Sequence, residues 1–126
     1  MTNILLVALG GSIGATMRYL LAAALQRGTA SALPLGTFTV NVIGSFVIGL
    51  VAVLITGPWV LKEQGRLLLM TGVLGGFTTF SSFALESLTL ANQGQPLRML
   101  AYIGATNVIG IGAAFLGWFL GDWWTR

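Results

Sequence analysis

The side chains able to do chemistry in this 126-residue chain are hydroxyls, amides and aromatic rings rather than the usual catalysts. Cysteine and histidine are both absent, which removes thiol nucleophiles, disulfides, imidazole bases and the commonest transition-metal ligands together. The three acids, Glu63, Glu86 and Asp122, are scattered. No nucleophile–base pair or phosphate-cradling loop accompanies them, so an enzyme is not expected.

The most unusual stretch is Gly72-Val73-Leu74-Gly75-Gly76-Phe77-Thr78-Thr79-Phe80-Ser81-Ser82-Phe83. Adjacent glycines followed by a run of hydroxyls weaken a continuous helix, and a break is expected near the middle of an otherwise apolar segment. At membrane depth each unpaired peptide group costs roughly 2–7 kcal/mol, so such a break survives only inside protein or beside a wet cavity. It then points to a binding site. The plainer alternative is a glycine-rich packing kink with its hydroxyls bonded back to the preceding turn.

Other polar residues form tracks. Thr37, Asn41, Gly44 and Ser45 share one helical face, small and polar, that could line a pathway, although an intramembrane Asn also commonly bonds to a neighbouring helix. Tyr102 and Thr106 fall four apart, with Asn107 alongside, and Gly110 continues that face without a donor. Phe80 and Phe83 share a face, either as core or as ring edges presented to a small anion. Arg18 lies roughly 10 Å inside the end of the first apolar segment, where a central Arg costs about 2.5–3.5 kcal/mol and must snorkel or find a partner. Glu86 could extend the polar face towards an aqueous mouth, accept from a helix, or snorkel.

The elements that must position these groups are membrane helices. Only 7% of the residues are charged against 56% hydrophobic, where soluble domains carry about a quarter charged. Spans of about 4–25, 36–56, 67–91 and 97–120 each reach the roughly 20 residues needed to cross a bilayer. Turn-rich stretches separate them at 27–34, 57–66 and 92–96, and the whole chain reads as one integral membrane domain. The N-terminal run lacks the basic region of a secretory signal and is expected to be mature structure. Trp59, Trp118, Trp123 and Trp124 lie near span ends, at headgroup depth. Small-xxx-small pairs at Gly10/Gly14, Gly11/Ala15, Ser45/Gly49 and Gly117/Gly121 allow close helix packing.

The net charge of +3 comes from too few residues to form a nucleic-acid face, so no nucleic-acid partner is expected, and membrane lipid is. An even number of spans puts Lys62, Arg66 and Arg126 on one side, with Arg27, Arg98 and the deeper Arg18 towards the other. The positive-inside bias nearly cancels. Insertion in both orientations and an antiparallel homodimer are therefore expected.

Three blocks carry a resemblance that covers the whole chain: Gly-Gly-Ser-Ile-Gly-Ala-Thr-Met-Arg-Tyr at 10–19, Gly36-Thr37-Phe38-Thr39-Val40-Asn41 with Gly44, and Gly75-Gly76-Phe77-Thr78-Thr79-Phe80-Ser81-Ser82-Phe83. The sequence resembles the Fluc family of fluoride channels, also called CrcB proteins. That resemblance implies an all-α membrane protein with a broken third span, an antiparallel homodimer with two pores, and passive expulsion of fluoride across the inner or plasma membrane of a bacterial-type cell. It implies that Asn41, Ser82, Tyr102 and Thr106 face the pore and that Phe80 and Phe83 approach fluoride by their ring edges. A structural sodium ion would sit on the dimer axis, bound by the Gly75 and Thr78 carbonyls. Arg18 and Glu86 would lie near vestibules. Gly110 departs from the Ser or Thr often found at its position, and Ser82 stands for a commoner Thr.

Two rival classes stand beside this one. A four-span proton-coupled exporter would need a carboxylate embedded in the first span, and none is present. A non-conducting scaffold subunit would use the glycine faces for packing alone.

Overall fold

The computed structural model describes residues 1–27, 33–56 and 63–126. Trp59 and Lys62, invoked above for an interface anchor and for the charge balance, lie outside the described residues. Every described element is helical: α1 (Thr2–Arg27), α2 (Leu35–Thr56), α3 (Glu63–Arg66), a π-helix (Leu67–Leu74), α4 (Gly75–Phe77), α5 (Phe80–Asn92) and α6 (Pro96–Thr125). Four helical stretches, Thr2–Arg27, Leu35–Thr56, Glu63–Asn92 and Pro96–Thr125, are long and apolar enough to cross a membrane.

Each is longer than its sequence-based span, because hydropathy marks the hydrocarbon slab whereas the helix continues into the interface. At the C-terminus α6 is carried on by Arg126, which donates to Asp122 one turn back at 2.6 and 2.9 Å, a surface pair worth about 0.3–0.5 kcal/mol. The turn between α5 and α6 follows from its residues. Gly94, at φ +71°, takes the left-handed position that ends a helix. Its N–H bonds Ala91 and that of Gln95 bonds Leu90, both at 3.0 Å, and Pro96 opens α6 where no donor is required.

Apolar side chains face outward along these helices: Ile4, Leu5, Leu97, Val108, Phe115 and Trp123 are among those exposed. The buried apolar cluster is small, comprising Phe83, Leu90 and Tyr102 with Leu33, Phe38, Met99 and Ile103 packed around it. In hydrocarbon such outward faces cost nothing, and helices associate by close packing instead.

Glycine provides that packing. A Cβ at Gly10 would overlap the Leu68 carbonyl and Gly72, and one at Gly14 the Val73 carbonyl, so α1 lies backbone to backbone along the π-helix. Gly49 meets Ala114 in the same way, Gly117 meets Phe46, and Gly121 meets Leu50 and Val53, which seals α2 against α6. In both pairs the numbers rise together, so the partners run parallel. The four small-xxx-small pairs read from the sequence all lie on these seams.

The third span is bent, as expected, and its boundaries sharpen the expectation. Gly75 is itself helical (φ −64°, ψ −35°), whereas Thr78 (φ −78°, ψ 156°) and Thr79 (φ −150°, ψ 119°) are extended. Of the two adjacent glycines, Gly76 serves the close approach to α1, packing on Gly11 and Ala15. The hydroxyl residues that follow make the break. The preceding π-helix had no signal in the sequence.

Candidate functional site

The break is held by a side chain from another helix. Asn41 Oδ1 accepts from the Thr79 N–H at 2.8 Å and Asn41 Nδ2 donates to the Thr79 carbonyl at 3.0 Å. The amide thereby satisfies both peptide groups of the extended residue, as a neighbouring strand would. Thr79 then starts α5 as its N-cap: its Oγ1 accepts from the Ser82 N–H at 3.2 Å, and the same hydroxyl lies 3.2 Å from Ser82 Oγ and 3.3 Å from Ser81 Oγ. Thr78 turns back, its N–H and hydroxyl both reaching the Leu74 carbonyl at 3.0 and 3.1 Å. Its methyl group fills the space where Gly44 has no side chain.

These bonds leave the two half-helices with opposite free ends. The Thr79 and Ser82 N–H groups, which a continuous helix would give to the Gly75 and Thr78 carbonyls, are committed to Asn41 and Thr79 Oγ1 instead. On the other side, α5 presents the N–H groups of its first turn. Carbonyl ends attract cations and N–H ends attract anions.

Glu86, for which the sequence leaves three roles open, accepts two short hydrogen bonds: from Thr37 Oγ1 to Oε1 at 2.6 Å and from the Tyr102 hydroxyl to Oε2 at 2.7 Å. Three helices, α2, α5 and α6, are tied at one carboxylate, and hydrogen bonds to a charged group contribute about 1.5–3 kcal/mol each. The proton of Tyr102 is thus engaged by Glu86. Thr106 Oγ1 is buried and has no hydrogen-bond partner among the described residues. Asn107, which lies alongside that face, donates back to the Ile103 carbonyl at 2.8 Å.

The aromatic residues form a row. Phe80 and Phe83 have ring centroids 5.5 Å apart at an interplanar angle of 56°, and Phe83 and Tyr102 are 5.4 Å apart at 50°. Tilted pairs of this kind direct ring edges at neighbouring faces. Phe83 is buried at 7% exposure, whereas Phe80 stands 78% exposed.

Two clefts meet at Thr79. One, about 270 Å³, is lined by Asn41, Gly44, Ser45, Ile48, Thr78, Thr79 and Phe80. The other, about 630 Å³, includes Arg18, Tyr19, Thr37, Thr79, Ser81, Ser82 and Glu86. Arg18 therefore faces a polar cleft, and among the described residues it makes no ion pair; Arg126–Asp122 is the only one found there. The structure thus joins Asn41 with Phe80 and Arg18 with Ser82 and Glu86, while Phe83, Tyr102 and Thr106 line neither cleft. No cluster of three or more acidic side chains able to hold a metal occurs among the described residues.

Thr79 and Thr37 were not singled out as site residues. For Thr79 a signal was present, since Thr directly before the helical run Phe80-Ser81-Ser82-Phe83 is a helix-start pattern. For Thr37 there was only its place on the Asn41 face, and nothing along the chain joined it to Glu86.

Comparison with known proteins agrees over the same length. The family model described as "CrcB-like protein, Camphor Resistance (CrcB)" matches residues 5–118. A protein of Aquifex aeolicus (strain VF5) named "Fluoride-specific ion channel FluC" is 42% identical over 116 residues, 92% of this chain and 94% of the relative. One of the same name from Allorhizobium ampelinum is 44% identical over 123 residues, 98% of each chain, and another from Hydrogenobaculum sp. (strain Y04AAS1) is 44% identical over 119 residues, 94% of this chain and 97% of the relative. With its four membrane-length helices and bent third span, this multi-pass membrane protein belongs to the CrcB family.

Proposed function

We infer that this protein is a fluoride-selective channel that lets fluoride leave the cytoplasm passively through the inner or plasma membrane. The observation that carries this reading is the break at Thr78–Thr79, held open by Asn41 beside a polar cleft at membrane depth. The relatives' shared name supports the choice of ion. Fluoride is small and strongly hydrated, so a path for it must replace water with closely spaced donors. The hydroxyls of Thr79, Ser81 and Ser82, the second hydrogen of Asn41 Nδ2, the first N–H groups of α5 and the edge of the Phe80 ring are such donors. Arg18, without an ion-pair partner among the described residues, would draw anions into the larger cleft.

The working unit is an antiparallel homodimer with two pores. Phe80, 78% exposed beside polar residues, and the open side of the Asn41 cleft favour a second copy that closes the path. The balanced charges on the two sides of the spans favour insertion both ways up. A structural sodium ion fits the donor set: the Gly75 and Thr78 carbonyls have lost their helical N–H partners, and oxygen dipoles suit a hard monovalent cation. Its charge would offset repulsion between anions passing nearby.

Fluoride efflux from liposomes, with chloride as control, tests the channel. Fluoride flux with chloride excluded is expected; no fluoride flux, or chloride flux as fast, would sink the reading. Phe80→Ile with Phe83→Ile should abolish flux while the dimer persists on size-exclusion chromatography. Single cysteines placed in the 57–66 loop should label from both sides of the membrane, and labelling from one side alone would exclude dual insertion.

A further inference from the structure

We propose that Ser45 is a further anion-contacting residue, supplying from α2 the hydroxyl that α6 lacks at Gly110. The proposal rests on the fluoride-channel reading and deepens it.

The parallel seam between α2 and α6 sets a register. Ser45 Oγ lies 3.7 Å from the point where a Gly110 Cβ would stand. Four residues back on both helices, Asn41 falls level with Thr106, and four further back Thr37 falls level with Tyr102. That last level is verified directly, because both hydroxyls reach the same Glu86 carboxylate. The two helices therefore form three polar levels about 6 Å apart. At the first, both helices contribute a hydroxyl. At the second, α2 contributes an amide and α6 the unpartnered Thr106 hydroxyl. At the third, α6 contributes nothing, and Ser45 stands alone.

The Ser45 hydroxyl is also free. Ser12, Thr16, Thr56, Ser87 and Thr89 all bond back to a carbonyl of their own preceding turn, at 2.7–3.2 Å. Ser45 makes no hydrogen bond among the described residues, although its position in α2 would permit the same one. It lines the cleft that holds Asn41, Thr79 and Phe80, and equally an adjoining groove of about 430 Å³ that runs past Gly110 and Ala114 to Trp118. Ser45 is the residue common to both. A free donor in the cleft of Asn41, Thr79 and Phe80, one turn below the Asn41 clamp, is placed to contact an anion held there.

The test is fluoride efflux from liposomes carrying wild-type protein, Ser45→Ala, or Ser45→Ala with Gly110→Ser, each checked for assembly by size-exclusion chromatography. Space exists for the rescuing side chain, since Ser45 Oγ is the sole neighbour within 4 Å of a Gly110 Cβ. Ser45→Ala should slow efflux about tenfold or more, the effect of one lost hydrogen bond to an ion. Adding Gly110→Ser should restore the rate to within about threefold of wild type, because it returns a hydroxyl to the same level. Unchanged efflux in Ser45→Ala overturns the role of Ser45 while leaving the channel intact. A slow Ser45→Ala that Gly110→Ser does not restore also overturns it, since the loss would then be one of packing. Absence of fluoride flux in the wild type removes the channel reading, and this role with it.

Discussion

The two ends of the α2–α6 interface use the same pair of helices and the same four-residue spacing for opposite purposes. At one end Gly49, Gly117 and Gly121 bring the backbones into direct contact and leave no space. At the other, Thr37, Asn41 and Ser45 stand level with Tyr102, Thr106 and Gly110, and polar side chains take the place of backbone contacts. The comparison teaches that glycine has two meanings on one interface. Gly117 is small because a backbone occupies its side-chain space, whereas Gly110 has room beside it.

The largest expected effect breaks the tight end. Gly117→Val would drive a branched side chain into the Phe46 carbonyl and the Leu50 nitrogen. Backbone obstacles cannot step aside, so the monodisperse peak in detergent should be lost altogether. Recovery of folded, wild-type-like protein would show that the seam is looser than described.

Next comes the polar end. Asn41→Leu leaves the Thr79 N–H and carbonyl without partners, at about 1–3 kcal/mol each. A thermal-unfolding scan should show the loss, and fluoride efflux should vanish because the break no longer has a clamp. Tyr102→Phe removes one of two donors to Glu86 and should cost about 1–3 kcal/mol, measurable as a lower midpoint in the same scan; an unchanged midpoint would mean that Thr37 alone suffices. The smallest effect sharpens the contrast between the glycines. Gly110→Ala meets Ser45 Oγ alone, at an ordinary 3.7 Å, and should shift stability by no more than about 1 kcal/mol, on the side of stabilisation, as alanine replaces glycine within a helix.

Much of the fold is legible along the chain. Four spans can be counted because each is a run of apolar residues ended by turn formers, and Gly94-Gln95-Pro96 marks the last turn by conformational preference alone. The bend in the third span is legible too, though its location is ambiguous. Paired glycines and paired hydroxyls both weaken a helix, and the sequence does not say which weakness is used. Packing decides it: Gly76 stays helical with α1 lying against it, and the chain opens at Thr78–Thr79 because Asn41 is there to receive it.

The site was legible as a set of residues and not as an arrangement. Asn41, Phe80 and Ser82 are visible because polar and aromatic side chains are rare enough in apolar spans to be noticed. Their partners are not. Thr37 and Tyr102 lie 49 and 16 residues from Glu86, and no local pattern links them. Composition and hydropathy by themselves determined that the chain is a four-span membrane protein without thiol or imidazole chemistry, because those properties are sums over residue types. Which hydroxyls are committed to Glu86, which amide holds the break, and which serine among the described residues is left free were decided only by the tertiary structure, because each depends on the register at which separate helices meet.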